Sequence, residues 1–368
     1  MTTAQHVEIT YYYMRIYTTK GDTMQKIFSL LAALKKTIRQ IFIEIAAFTL
    51  IAIMGLLSSS DVEACASCGC MLSSDWDNLQ FSSMLGLKLD LRYDYVNQDQ
   101  LRSVTNPISP SAVAKPQEIE KFTRNNYLTL SADYTFSREW GVNVQIPYIY
   151  RVHETLGTAS DGYVPGIDGG QYNSNTSSFG DIKVLGRYQG FISGNNLGVL
   201  FGFKLPTGSY TMTGTSTDPT APGPVTIDKG LQPGSGTTDM ILGIYYTDTM
   251  TQSFDYFTQV MFQTALYSTD QYRPGEGINL NLGLRYSDLN FIFPQIQLNF
   301  RYVLHDTGKN ADTVSTGGTL LYLSPGVSVP IGDQVTAYGF VQIPIYENVN
   351  GVQLTPSYTI SLGGRYIL

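Results

Sequence analysis

Three cysteines lie close together at Cys65, Cys68 and Cys70. Thiols at this spacing in an oxidising compartment favour a local disulfide, and a metal site, copper included, is a weaker alternative because no histidine is nearby. Covalent haem attachment needs a histidine where this chain has Gly69. Acylation of Cys65 stays open, although Glu63 departs from the small residue that a lipidation signal prefers. We therefore predict a disulfide and leave the metal undetermined.

A second group of charged and polar side chains lies at every second position of short segments. Between residues 85 and 95, leucines and tyrosines alternate with Lys88, Asp90 and Arg92. Successive side chains of a β-strand point to opposite faces, so one face of this segment is apolar and the other is charged. The same phase in later segments gives the candidate residues of an enclosed polar interior: Lys88, Asp90, Arg92, Asp94, Asp133, Asp181, Lys183, Arg187, Lys204, Asp239, Arg285, Arg301 and Arg365, with the amides Asn143, Gln145, Gln259, Gln263, Asn279, Asn281, Gln295, Gln297 and Asn299.

These inward positions have two interpretations, and both stay open at this point. The charges and amides form ion pairs and networks that fill a narrow interior, or some of them line a permeation path for anionic or polar solutes. Arg187, Arg285 and Arg301 are the foremost candidates for the second role.

The elements that must position these side chains are twelve short amphipathic segments. They cover residues 85–95, 128–136, 142–150, 182–188, 197–205, 240–246, 256–262, 278–286, 292–302, 321–329, 335–343 and 358–366. An even number of strands returns both chain ends to one side of a membrane, and closure leaves no sheet edge unpaired in lipid. We therefore predict an all-β fold: an antiparallel up-and-down transmembrane barrel of about twelve strands in the outer membrane of a Gram-negative bacterium.

The connections between these segments alternate in length. Those after even-numbered strands are short: 137–141, 192–196, 247–253, 287–290 and 330–334. Those after odd-numbered strands are mostly longer: 97–126, 151–178, 207–236, 267–277, 303–318 and 347–355. Short periplasmic turns and long external loops are typical of outer-membrane barrels.

The N-terminal part of the chain predicts export. An apolar stretch at residues 45–57 follows Lys35, Lys36 and Arg39, which is the order of a secretory signal. Small residues at Val62 and Ala64 predict cleavage before Cys65. Three parts follow: an extended signal peptide at 1–64 with Met24 as a plausible true start, a cysteine-containing periplasmic segment at 65–83 that could plug the barrel, and the barrel at 84–368.

The composition and the net charge exclude two other classes, which are helical membrane proteins and nucleic-acid-binding proteins. After the first sixty residues, the chain has no run of about 20 apolar residues that a spanning helix needs. Its formal net charge is −7, and it has no basic patch that could follow the phosphates of a nucleic acid. Abundant tyrosine (26) and glycine (35) with only 14% charged residues suit many strands that end in aromatic rings at two membrane interfaces.

Three motifs in the middle of the chain carry a family resemblance. Gly180-Asp181, Lys204-Leu205-Pro206-Thr207-Gly208 and Gly234-Ser235-Gly236 are similar to motifs of the outer-membrane family named for the meta-pathway of phenol degradation. The resemblance covers about residues 178–266 and continues more weakly to the C-terminus. It implies a barrel that transports small, often aromatic, molecules across the outer membrane. For the Lys-Leu-Pro-Thr-Gly motif, a structural role and a gating role both stay open.

An enzyme and a structural or adhesive barrel are the competing classes. Outer-membrane phospholipases use serine and histidine on the lipid-facing surface near the external rim. His153 and His305 lie near that rim, but no serine is paired with either by spacing. We predict no enzymatic activity and no cofactor, and passive diffusion of a small solute as the function. The expected partners are outer-membrane lipid, lipopolysaccharide and the barrel-assembly machinery, for which Tyr366 stands third from the end.

Overall fold

The computed structural model describes residues 85–113, 119–156, 171–217, 222–289 and 291–368. The predicted signal peptide, the alternative start at Met24, the cleavage site, the three cysteines and the segment at 65–83 lie outside the described residues. Among the described residues, no helix is long and apolar enough to cross a bilayer.

Most of the described residues lie in β-strands. Two 3-10 turns, Pro110–Ala112 and Lys229–Leu231, interrupt the strands. The sixteen strands of the described residues are β1 Gly86–Ser103, β2 Asn106–Pro107, β3 Ile119–Thr135, β4 Trp140–Leu156, β5 Gln171–Phe179, β6 Ile182–Tyr188, β7 Leu197–Leu205, β8 Thr213–Ser216, β9 Gly223–Thr226, β10 Asp239–Thr251, β11 Phe254–Ala265, β12 Gly277–Tyr286, β13 Phe293–Val303, β14 Gly318–Ile331, β15 Val335–Val349 and β16 Val352–Ile367.

Antiparallel pairing closes these strands into a ring. Eleven strands follow one another from β1 through β16, β15, β14, β13, β12, β11, β10, β7 and β6 to β4. β3 pairs with both β1 and β4 and completes the circle, so twelve of the described strands form the barrel. β2, β5, β8 and β9 extend the sheet at the external end. This confirms the predicted fold class, because a closed ring leaves no backbone edge unpaired in lipid.

The two-residue period sorts side chains between the outer wall and the interior. Leu91, Leu242 and Leu362 on the outer wall are 44–55% exposed, whereas Asp90 on the inward phase is 4% exposed. A charge on the outer wall would cost about 2–4 kcal/mol at the bilayer midplane, so the polar phase must point inward. Exposed aromatic rings, such as Tyr134 near the short turns and Tyr150 near the long loops, suit the two membrane interfaces.

The external connections differ from the prediction in two places. Of the loop predicted at 97–126, β1 and β3 occupy half of the residues, and the loop predicted at 347–355 is a two-residue connection between β15 and β16. The prediction is wrong there because β-bulges shift the strand register and apolar side chains such as Leu101 and Leu354 are buried, so the alternation of polar inward and apolar outward residues ends. The loop predicted at 207–236 contains the β8–β9 hairpin, and that at 151–178 contains the end of β4 and β5.

Candidate functional site in the barrel interior

All thirteen predicted interior charges lie on the inward phase, twelve of them within strands and Asp181 just before β6. Ten of them are buried: Lys88, Asp90, Asp94, Asp133, Asp181, Arg187, Lys204, Asp239, Arg285 and Arg365. Arg92, Lys183 and Arg301 are partly exposed. The interior therefore has two environments. We call them the periplasmic half, near the short turns, and the external half, below the long loops.

In the periplasmic half, arginines pair with aspartates. Arg187 donates to both carboxylate oxygens of Asp133 at 3.2 and 3.3 Å. Arg365 forms an ion pair with Asp90 at 3.2 Å. Near the periplasmic rim, Arg285 forms an ion pair with Asp255 at 2.9 Å. Two of the three arginines favoured by sequence for selecting solutes, Arg187 and Arg285, thus already have carboxylate partners.

Glycines let long side chains reach past a neighbouring strand in this half. Arg187 of β6 passes Gly141 of β4 to reach Asp133 of β3, and a Cβ on Gly141 would collide with its guanidinium. Tyr338 of β15 lies over Gly363 of β16 and donates to Asp90 of β1 at 2.9 Å. The sequence analysis did not predict inward-facing tyrosines such as Tyr338 as site residues. Such a tyrosine lies at an inward position opposite a glycine of the neighbouring strand, and that pattern could have identified it.

Tyr245 of β10 repeats this arrangement across β7. Its ring lies over Gly198, and its hydroxyl donates to Gln189 at 2.7 Å. Tyr245 is 1% exposed and packs against Leu200. Large, fully buried side chains therefore occupy this part of the periplasmic half.

An amide network continues the packing on the opposite wall. Asn299 donates to Asn281 at 2.8 Å and accepts from Ser324 at 2.6 Å. Asn281 in turn donates to Gln259 at 3.3 Å. All four side chains are buried. The predicted ion pairs and amide networks are thus what the interior of the periplasmic half contains.

In the external half, residues 227–237 fold into the barrel, and we call them the inward segment. Ile227, Leu231 and Thr237 are at most 2% exposed. Gln232 holds the backbone of the segment by donating to the carbonyls of Ile227 and Met212 at 2.9 and 3.0 Å. The sequence did not predict this segment, because an inward-folded loop has the same Gly, Pro and Ser content as a solvated one.

The three sequence motifs meet at the base of the inward segment. Asp181 accepts hydrogen bonds from the backbone N–H of Gly208 and of Ser235, both at 3.0 Å. A Cβ on Gly208 would lie 2.8 Å from backbone atoms of Gly180 and Gly234, so only glycines permit this approach. Lys204 joins the group through Asp181 at 3.1 Å and Asp239 at 2.9 Å. The motifs therefore have a structural role, which is to hold the inward segment in the barrel.

A cavity of about 330 Å³ lies between the inward segment and the barrel wall. Six cationic and four acidic side chains line it among the described residues: Arg92, Arg151, Lys183, Lys204, Lys229 and Arg301, against Asp94, Asp181, Asp239 and Asp306. The lining thus carries an excess of two positive charges although the whole chain has a net charge of −7.

Most of these lining charges have partners. Arg92 pairs with Asp94 at 2.8 Å, and Lys229 pairs with Asp270 at 3.0 Å. Arg151, which sequence reasoning missed, has neutral acceptors, among them the carbonyl of Gly230 in the inward segment at 3.3 Å.

Lys183 and Arg301 differ from the other cations of the cavity. Neither makes an ion pair or a hydrogen bond with another residue in the described part of the chain. Lys183 lies within electrostatic reach of Lys204, Arg301 and Arg92, and also of Asp239. The external half therefore contains two cations that form no ion pair with a described carboxylate.

The rim histidines do not form a site on the lipid-facing wall. His153 is 1% exposed, lies on the inward phase of β4 and hydrogen-bonds to Thr123 at 2.7 Å. His305 follows β13 in an external loop. Within the described ranges, no group of three or more His, Cys, Asp or Glu side chains could hold a metal ion. The predicted site at Cys65, Cys68 and Cys70 lies outside these ranges.

Comparison with known proteins identifies the fold. No protein-family model and no curated protein matches the chain. The COG4313 outer-membrane channel from Pseudomonas putida F1 is similar in structure, with a TM-score of 0.54 and 12% identity over 77% of this chain and 96% of that one. The CymD monoaromatic hydrocarbon channel gives a TM-score of 0.46 and 10% identity over 83% and 95%.

This likeness concerns the fold alone, which is that of outer-membrane β-barrels. A closed ring of strands with an apolar outer wall is how proteins span the outer membrane of Gram-negative bacteria, and the predicted location is confirmed. The resemblance to the phenol meta-pathway family stays a prediction.

Proposed function

We propose that this protein is an outer-membrane channel through which a small solute diffuses passively. The observation that carries the proposal is the cavity of about 330 Å³ inside a closed barrel, lined by charged and polar side chains. Its volume lies at the lower end of small-molecule sites, which measure roughly 300–1,000 Å³. A solute would pass the external loops, occupy the cavity and leave on the periplasmic side without energy coupling.

The packing of the interior favours a selective channel over a wide pore. Side chains such as Tyr245 and Arg365 are at most 2% exposed and occupy the periplasmic half. A barrel of twelve strands is also narrower than the 16- or 18-stranded porins that leave an aqueous channel. We therefore expect a small conductance and strong discrimination among solutes.

Two solute classes agree with the lining of the cavity. Tyr127, Ile149 and Tyr272 offer apolar and aromatic surface, which suits an aromatic molecule. The excess of cations suits an anion. A molecule with both an aromatic ring and a negative charge would contact the apolar and the cationic parts of the lining.

A non-conducting structural or adhesive barrel is the alternative, and the paired charges of the periplasmic half favour it. An outer-membrane lipid hydrolase is less well supported, since His153 points into the barrel and not toward lipid. Insertion by the barrel-assembly machinery and contact with lipopolysaccharide are further parts of the proposal. Tyr366 near the C-terminus lies exposed on the outer wall, where an assembly factor could reach it.

Planar-bilayer recording and liposome swelling test the proposed function. The purified full chain, refolded in detergent, should give discrete single-channel steps in KCl and admit small solutes into liposomes. The same protein unfolded by heat should give neither. Folded protein that inserts into the bilayer without conducting would contradict the channel and support the structural barrel.

A further inference from the structure

Lys183 and Arg301 lie on opposite sides of one cavity, and neither forms an ion pair with any of the residues that the structure describes. Lys183 is on β6 and Arg301 on β13, and both line the space below the inward segment. Three of the four acids that line the cavity already have cations: Asp94 has Arg92, and Asp181 and Asp239 share Lys204.

An unbalanced cation in an enclosed interior is costly. Taking a charge out of water without pairing it is unfavourable, and the cost falls when an anion enters. In the periplasmic half, by contrast, Arg187 and Arg365 each form an ion pair with an aspartate at 3.2 Å. The cations of the periplasmic half therefore belong to structural ion pairs, whereas the two cations of the cavity have the properties of an anion-binding site.

Apolar side chains lie next to both cations on the external side. Val303 is the next inward residue after Arg301 on β13. Gln145 of β4 is the register partner of Lys183, and Pro147 and Ile149 are the next inward residues after it. An anion held between the two cations would thus place an apolar part against Val303, Pro147 and Ile149.

We propose that Lys183 and Arg301 bind the carboxylate of a small organic acid whose apolar part lies toward the outside. This inference rests on the proposed channel and names its class of solute. A guanidinium presents paired N–H donors that match a carboxylate, and an ammonium adds a compact charge. Inorganic phosphate lacks the apolar part, and a neutral aromatic molecule lacks the charge.

Calorimetric titration of the full chain in detergent tests the site independently of conduction. Sodium benzoate, sodium phosphate and benzyl alcohol are the probes, because the alcohol keeps the ring and loses the charge. We expect benzoate to bind at least tenfold more tightly than either of the others. Equal binding of phosphate or of benzyl alcohol would overturn the proposal.

Variants assign the binding to the two side chains. The double variant Lys183→Gln/Arg301→Gln should lose at least tenfold in benzoate affinity. The charge-preserving double variant Lys183→Arg/Arg301→Lys should keep most of it. Lys309→Gln is the matched control, since Lys309 is an exposed cation in an external loop. Undiminished affinity in the glutamine double variant would overturn the site, provided that its heat-modifiable gel mobility shows a folded barrel.

Conductance separates this inference from the channel itself. In a KCl gradient the reversal potential of the wild type should show anion preference, and the glutamine double variant should lose it. A conducting wild type that binds no benzoate overturns the site and leaves the channel. A wild type that binds benzoate but never conducts overturns the channel and leaves the site.

Discussion

The periplasmic and external halves of the barrel interior differ in how their charges are balanced. In the periplasmic half, Asp133 and Asp90 each have an arginine at 3.2 Å. In the external half, Lys183 and Arg301 have no described ion-pair partner. Full pairing stabilises a folded wall, whereas an unbalanced cation leaves a place for a ligand. The difference separates residues that hold the barrel from residues that we expect to meet solute.

The largest loss of stability is expected from removing one partner of an ion pair in the periplasmic half. Asp133→Ala leaves Arg187 as a buried, unpaired charge, and breaking such a pair costs about 3–5 kcal/mol. We expect the free energy of unfolding in lipid vesicles, followed by tryptophan fluorescence in urea, to fall by that amount. Asp333→Ala in an exposed periplasmic turn is the control. A loss below about 1 kcal/mol, the range of an exposed pair, would remove the distinction between the halves.

A smaller effect is expected where the inward segment is attached. In Gly234→Val the new side chain would meet backbone atoms of Gly208 at 2.5 Å. Overpacking of this kind costs about 1–3 kcal/mol. We expect the inward segment to detach, so that trypsin cleaves after Lys229 at least tenfold faster. Gly364→Ala, whose Cβ would meet nothing within 4 Å, should cleave like the wild type. Unchanged cleavage of Gly234→Val would mean that the glycine contacts do not hold the segment.

Removing a cation that has no ion pair should change stability much less than removing one partner of an ion pair. Lys183→Met removes a charge that has no ion pair among the described residues, so we expect stability to stay within about 1 kcal/mol of the wild type or to rise. Urea unfolding under the conditions used for Asp133→Ala measures this. A loss as large as that of Asp133→Ala would show that Lys183 is a structural cation, and the contrast between the halves would disappear.

The smallest expected effect is a change of anion preference with pH. Burial raises the pKa of Asp306 above its ordinary value of 3.8, while hydrogen bonds from Gly275 and Tyr272 lower it and the charge of Asp312 raises it. As pH falls through this raised pKa, Asp306 loses its negative charge and the cationic excess of the cavity grows. Anion preference in bilayer recordings should therefore increase toward acid pH, and less so in Asp306→Asn. Identical pH profiles of the two proteins would contradict this role.

Much of the fold could be predicted from the sequence, because a barrel wall imposes its period on every strand. The twelve strands and the inward phase of residues such as Asp90 follow from alternation alone. The length of β15 and β16 could not be predicted, since the pairing register shifts there and the buried apolar residues Val349 and Leu354 break the alternation of polar inward residues. The ion pairs could not be predicted either, because strand register decides which charges meet. Arg187 and Asp133 belong to strands separated by β4 and meet only where Gly141 leaves room.

Thiol labelling tests the contrast between the halves most directly. In a background with Cys65, Cys68 and Cys70 replaced by serine, Gln145→Cys places a thiol in the cavity and Gln259→Cys places one in the periplasmic half. Methanethiosulfonate reagents of opposite charge, added from the outside, report access and local potential.

We predict that Gln145→Cys reacts at least tenfold faster than Gln259→Cys, and that the negatively charged reagent reacts faster with it than the positively charged one. Equal labelling of the two positions, or faster labelling of Gln145→Cys by the positive reagent, would contradict a cationic cavity above a filled periplasmic half.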